Sequence, residues 1–165
     1  MPFTSPKRGL PWRALATMLV LAATPGASAH AAGDRLGACA GPTAEARSAE
    51  ARMTALVNAT RRRAGQRPVA RSPWLERVAR RRTGQIQAGG QLQHDIRGGR
   101  LSWAPPARWA GENLAIATTP RAALAAMLAS PTHRTVLLFG RWQSLGVGAR
   151  ASCDGQLIYA LDFLG

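Results

Sequence analysis

Lysine is almost absent from this chain: of 22 cationic residues all but Lys7 are arginines, and they face only eight acids. The resulting charge of +14 and pI near 11.9 rule out a neutral surface and call for an acidic partner, whether nucleic acid, anionic lipid or cell-wall polymer. Arginine in place of lysine, beside abundant alanine, fits the bias of a G+C-rich genome, so the sign of the charge needs a physical reason more than the residue type does. Long apolar runs are also missing. The longest uncharged one, Ala14–Ala23, has ten residues against the roughly 20 of a spanning helix. Two cysteines exclude a disulfide-dense scaffold and any CxxC redox or zinc-ribbon site. There is no HExxH, Walker or GxSxG motif, which removes the best-defined metalloprotease, nucleotidase and serine-hydrolase classes. With 165 residues, 46% of them hydrophobic, the chain has enough for one core and too little for two, and 17 Gly with 11 Pro predict many loops.

Residues 1–29 read as a signal peptide. Lys7, Arg8 and Arg13 form a basic start and Ala14–Ala23 an apolar segment; Pro25 and Gly26 break it, and Ala27-Ser28-Ala29 offers small residues for cleavage. Cleavage there removes three cations and no acid, so the exported chain stays strongly basic. The expected location is therefore secreted, or retained at the cell envelope, with no transmembrane segment in the mature chain. In an oxidising compartment Cys39 and Cys153 are expected to pair. That bridge would close a loop of roughly a hundred residues and contribute about 4 to 5 kcal/mol by chain entropy. Leu36-Gly37-Ala38-Cys39 is also a lipoprotein-box pattern, but Asp34 and Arg35 separate it from the apolar segment, and lipidation would strand Cys153.

Residues 30–42 form an Ala/Gly-rich extension tied down by Cys39, and the domain spans 43–165. A helix runs from a Thr43 cap to about Arg63, with Met53, Leu56, Val57 and Thr60 at helical spacing, and Gly65 stops it. Ser72-Pro73 starts a second helix, ending near Gly89-Gly90, with Leu75, Val78, Ala79 and Ile86 on one face. Residues 91–110 read as irregular. Thr119-Pro120 and Ser130-Pro131 open two further helices, the last ending through Val136, Leu137 and Leu138. The period then changes to alternation in Leu145, Val147, Ala149 and again in Leu157, Tyr159, Leu161, Phe163, and Asp154-Gly155 between them signals a two-residue hairpin. Leu114-Ala115-Ile116 offers a further strand. This order indicates an α+β fold with helices flanking a small antiparallel sheet.

Three polar clusters stand out in apolar surroundings: Gln93-His94-Asp95, Gly111-Glu112-Asn113 and Ser130-Pro131-Thr132-His133. His133 falls in the first turn of the helix that Ser130 is expected to cap, which accounts for the serine without a nucleophilic role. At these segments the chain resembles the CAP superfamily of cysteine-rich secretory proteins, antigen 5 and pathogenesis-related proteins, also called SCP domains, in its secreted bacterial form. Leu56-Val57-Asn58 with Arg61 to Gly65 resembles the family's first helix, Leu92-Gln93-His94-Asp95 its Phe-Ser-His-Asp-type segment, and Ala110 to Ala115 its Gly-Glu-Asn signature. Ser130 to Arg134 is similar to its Ser-Pro-Gly-His-Arg segment, Leu145 to Gly148 to its Ile-Gly-Val-Gly strand, and Tyr159 to Phe163 to its terminal strand.

The resemblance implies an α-β-α sandwich whose cleft holds two histidines and two acids, with zinc bound in some members. Carried over by position, His94, Glu112 and His133 are the cleft residues and the candidates for catalysis, with His94 and His133 as the metal ligands. The family's second acid, on the helix between Glu112 and His133, has no counterpart, since no Asp or Glu occurs from Asn113 to Cys153. Met127 stands where relatives commonly carry Trp, and Thr132 replaces Gly. Chemistry that needs paired carboxylates is thereby disfavoured.

The arginines carry a separate expectation. Arg61 to Arg63, Arg67, Arg71, Arg77 and Arg80 to Arg82 cluster on the first two helices and their connection, and Arg77, Arg80 and Arg81 share a face that could hold an anion. Aromatics near this charge are few, Trp74 alone being close in sequence, so nucleic acid is disfavoured. The chain is read as a secreted, monomeric binding module for an anionic or lipidic envelope ligand, such as a glycolipid or cell-wall polymer. The alternative is a zinc-dependent hydrolase using His94, Glu112 and His133.

Overall fold

The computed structural model describes residues 43–106, 108–152 and 154–165. The signal segment, the extension and the Cys39–Cys153 pair lie outside the described residues. Helix α1, Ala44–Arg63, begins where the Thr43 side chain accepts the Ala46 N–H at 3.1 Å, and it buries Ala46, Ala49, Met53 and Val57 along one stripe. The two-residue strand β1, Ala70–Arg71, leads into α2, Pro73–Gly89, which is capped by Ser72 accepting the Leu75 N–H at 3.3 Å and closed by Gly90 in the left-handed region. Helix α3, Pro120–Ala129, starts from Thr119 in the same way. Helix α4, Pro131–Leu138, departs from expectation. Ser130 is its N-cap by position, but the hydroxyl makes no capping bond; proline at the first position and the Ser130 carbonyl, accepting from Arg134 N–H at 2.9 Å, start the helix.

Residues 91–110 are not wholly irregular. They contain a hairpin of β2, Ile96–Arg97, and β3, Arg100–Leu101, turned by Gly98 and Gly99 at φ 56° and 74°. The main sheet has order β1-β5-β6-β4, with β4 at Ala110–Ala117, β5 at Ser144–Ala151 and β6 at Leu157–Leu164. Strand β6 is antiparallel to both neighbours, while β1 runs parallel to β5, so the sheet is mixed rather than purely antiparallel. The β5–β6 connection is also longer than a two-residue turn. Pairing ends at Ala151 opposite Leu157, and residues 152–156 close through Ser152 N–H to the Gln156 carbonyl at 2.9 Å, with the Asp154 carboxylate accepting from within the loop.

The two faces of the sheet divide the helices. Leu145, Val147 and Ala149 of β5 and Tyr159, Leu161 and Phe163 of β6 pack in one core with α1, α3 and α4. Leu114, Ile158 and Ala160 face α2 through Ala79 and Ile86. On that second face β5 presents Gly146 and Gly148. A Cβ on Gly146 would stand 2.1 Å from the Leu75 carbonyl carbon, and one on Gly148 would stand 2.3 Å from that of Ala79. Helix α2 therefore rests backbone to backbone on β5, in contact only glycine permits.

Gly146→Ala is expected to force α2 off the sheet and cost about 3 kcal/mol or more. Gly89→Ala, whose Cβ would meet nothing within 4 Å, is expected to raise stability by about 0.5 kcal/mol. Urea unfolding of the two variants beside the parent measures both, and equal midpoints would contradict the close-contact account.

Candidate functional site

Strand pairing builds the site. Glu112 on β4 stands directly opposite Asp162 on β6, and Asp162 opposite Gly146 on β5, so the two carboxylates share the face on which α2 lies. Both are buried, Asp162 completely. From α2, Arg82 brings its Nε to 3.8 Å from Glu112 Oε2, itself buried and held at Nη1 by Gln85. From the segment after α2, His94 places Nδ1 2.6 Å from Glu112 Oε1. The histidine side chain is 43% exposed and the glutamate's 1%, so the ring carries the contact from the buried acid out to the surface.

The protonation pattern follows from this burial. Read as two ionised groups, Asp162 Oδ1 and Oδ2 and Glu112 Oε2 have no hydrogen-bond partner, an expensive state for buried charge. A proton on Asp162 resolves it. Desolvation, then the neighbouring Glu112 charge and the hydrogen bond donated to it, hold the Asp162 pKa well above the ordinary carboxylate value, and Arg82 opposes this only weakly. Glu112 accepts from Asp162 on one side and His94 on the other. Because an ionised carboxylate only accepts, the 2.6 Å contact assigns a proton to His94 Nδ1 and turns Nε2 away from the acid.

Of the three expected cleft residues, His94 and Glu112 meet. The His133 carbonyl accepts from Asn113 Nδ2 at 2.9 Å, on the strand position after Glu112, and among the described residues no hydrogen bond or ion pair joins its ring to either partner. Nor do three or more His, Cys, Asp or Glu side chains among the described residues converge to hold a metal ion. Among the described residues the contacts assemble a pair, His94 with Glu112, rather than a closed ligand set, and no step is derived through a metal.

Sequence reasoning missed two members. Asp162 supplies the second carboxylate that no helix residue provides, and its signal was its parity: it falls with Ile158 and Ala160, between the alternating residues taken as core. Arg82 was grouped with the arginine cluster of the first two helices, although it sits three and seven residues after Ala79 and Leu75 on their stripe.

The expected anion-binding trio is divided. Arg80 is held in a fork by Glu50, Nε lying 2.9 and 3.0 Å from its oxygens, and it approaches Glu76 at 3.7 Å, while Arg77 and Arg81 are exposed. Arg61 is fully buried and donates to the carbonyls of Arg67, Leu137 and Phe139, so it belongs to the fold rather than to a docking patch.

A three-stranded antiparallel core with α2 on one face and three helices on the other, and a His–Glu pair at its edge, is a recognisable arrangement. The family model described as the cysteine-rich secretory protein family, CAP, matches residues 54–163. The chain belongs to this family. Solved structures give the same fold. An outer surface protein of Borrelia burgdorferi has a TM-score of 0.66 at 17% identity, covering 76% of this chain and 98% of that one. An extracellular SCP-domain protein of Bacillus anthracis has a TM-score of 0.61 at 23% identity, covering 76% of this chain and 45% of that one. A cysteine-rich secretory protein of Staphylococcus aureus has a TM-score of 0.57 at 18% identity, covering 74% and 40%. No curated protein matches the sequence. No helix among the described residues is long and apolar enough to cross a membrane.

The CAP carboxylate pair makes stability depend on pH in a definite direction. Folded Asp162 holds its proton more tightly than the unfolded chain does, so its contribution is full below the ordinary range near pH 4 and falls as pH rises toward the folded value. Asp162→Asn, whose amide still donates to Glu112, removes that fall. Thermal unfolding across the pH range is expected to show the variant gaining on the parent as pH increases; a pH-independent difference would contradict the shared proton.

Proposed function

We propose that this CAP-family chain is an exported binding module for an anionic amphiphile. The observation carrying this reading is a groove of about 510 Å³ between α1 and α3, where Ala55, Leu56 and Pro120 make an apolar lining and Arg52 and Arg121 stand as exposed cations with no acid among the lining residues. An alkyl chain fits the apolar part, at about 0.8 kcal/mol for each methylene buried, and a carboxylate or phosphate head meets the arginines. The groove lies on the face of the sheet opposite the His94–Glu112 pair, so binding there needs no catalysis. Export is supported by the basic, apolar and small-residue order of residues 1–29, and by structural relatives described as extracellular or outer surface proteins. The anion contact moves from the α2 trio, where Arg80 is engaged by Glu50, to Arg52 and Arg121.

Titration with a fluorescent long-chain fatty acid and with phosphatidylglycerol vesicles tests the groove. The Arg52→Gln/Arg121→Gln double variant is expected to lose about tenfold in affinity, roughly 1.4 kcal/mol, and Leu56→Glu more. Arg77→Gln/Arg81→Gln is expected to bind as the parent does. Unchanged binding in the first pair, or a loss confined to the second, would reject this site.

A further inference from the structure

A second basic surface lies at the other end of β4. The strand runs from Ala110, beside Trp109, to Ala117, two residues before the Thr119 cap of α3, which separates Trp109 from the α1–α3 groove by roughly 25 Å. Trp109 is 54% exposed, an unusual state for so large an apolar ring, and it is held rather than loose. Its backbone exchanges hydrogen bonds with Gly165 at 3.2 and 2.9 Å. Its ring packs on Phe139 with centroids 5.5 Å apart, Phe139 on Trp142 at 4.8 Å, and Trp142 on the core residue Phe163 at 5.6 Å. Trp142 is anchored in turn by its indole N–H donating to the Val136 carbonyl at 2.6 Å. An aromatic ladder thus runs from the core to a fixed indole at the surface.

Arginines flank that indole on both sides. Arg141 places its guanidinium 5.4 Å from the ring centroid. One hollow beside Trp109, about 580 Å³, contains Arg67 and Arg141; the other, about 350 Å³, contains Arg100 and Arg108. Neither is lined by an Asp or Glu side chain. Arg100 donates to the Pro105 carbonyl, and Arg108 donates to the main-chain oxygen of Gly165 and to the Gln143 amide oxygen, which hold the two guanidinium groups in place; no Asp or Glu side chain among the described residues pairs with Arg100. A rigid aromatic platform between two arginine-bearing hollows requires a partner that is both ring-shaped and anionic along its length.

We propose that the Trp109 face binds an anionic polysaccharide, one sugar ring packing its C–H face on the indole and the carboxylate or phosphate groups of neighbouring sugars entering the two arginine hollows. Charge complementarity selects the anion, and the single fixed ring selects the sugar. A single-stranded nucleic acid uses a series of stacking platforms, and here one ring is exposed. A membrane-seeking face needs a contiguous apolar patch free of charge, and here, although exposed Ile96 lines one hollow with the ring, Arg67, Arg141, Arg100 and Arg108 line the two hollows as well. The proposal does not rest on the amphiphile groove, which is a different surface with different residues.

Binding of the full exported chain to carboxymethyl dextran and to dextran phosphate, with neutral dextran of the same length beside them, tests this by calorimetry at two salt concentrations. Both charged polymers are expected to bind, more weakly at high salt, and neutral dextran to bind at least tenfold more weakly. Trp109→Ala and, separately, Arg67→Gln/Arg141→Gln are each expected to reduce affinity for the charged polymers at least tenfold, while Trp74→Ala, an exposed tryptophan off this face, and Arg52→Gln/Arg121→Gln change it less than twofold. All of these substitutions are on exposed side chains, and unchanged circular dichroism confirms the fold. Full affinity in both the Trp109 and the Arg67/Arg141 variants overturns the proposal. So does tighter binding of poly(dT) or of phosphatidylglycerol vesicles to the same face, which would assign it to a nucleic acid or a membrane.

Discussion

The contact of α2 with β5 is the constraint from which the site follows. Gly146 and Gly148 let a helix backbone lie where side chains would otherwise hold it away, and the row across the sheet from Gly146 is Asp162 and Glu112. The same close approach that makes room for the helix therefore places two carboxylates under it, out of reach of water. Burial forces one of them to keep its proton, and the other is then satisfied by that proton and by His94. Glu50 fastens the arrangement on its other side: one oxygen accepts the Ala149 N–H of β5 at 3.1 Å while the fork from Arg80 of α2 closes on the same carboxylate. Helix, strand and carboxylate pair thus depend on one set of short distances.

This arrangement also sharpens the charge of the molecule. Glu50, Glu76, Glu112 and Asp162 are buried, and the first three lie against arginine or histidine. With these acids engaged inside the fold, the exposed arginines elsewhere carry the positive charge that solvent meets. Such a field draws polyanions from a distance and does not by itself choose among them. Choice comes from shape at particular places: an apolar groove between Arg52 and Arg121 for an amphiphile, and a fixed indole between arginine hollows for a charged sugar chain. The His94–Glu112 pair, on the α2 side, is a third and chemically distinct element.

The helices were legible because their signals are local. Thr43, Ser72 and Thr119 each cap the helix they announce, and proline at the first position marks three of the four starts. Ser130 misled in mechanism but not in place. The strands β5 and β6 were legible from alternation, yet alternation also hid the site: Asp162 occupies the parity opposite to the bulky residues, and only the pairing of β4 with β6, a contact across half the domain, brings it to Glu112. Strand β1 and the β2–β3 hairpin are too short to carry a period. The exposure of Trp109 was not legible, because nothing local records that Phe139 and Trp142, thirty residues later, pack against it from the core side.

Residue-resolved carbon NMR of the side-chain carboxyls through an acid-to-neutral titration tests the central claim, that a carboxylate pair sharing one proton lies closed beneath α2. Asp95 serves as the internal reference, since the Ser102 hydroxyl donating at 2.6 Å holds its carboxyl below the usual value. The account predicts that Asp95 loses its proton early and that Asp162 keeps its own after Asp95 and the exposed carboxyls have ionised. Asp162 titrating together with Asp95 would mean that water reaches the pair, and would contradict the account.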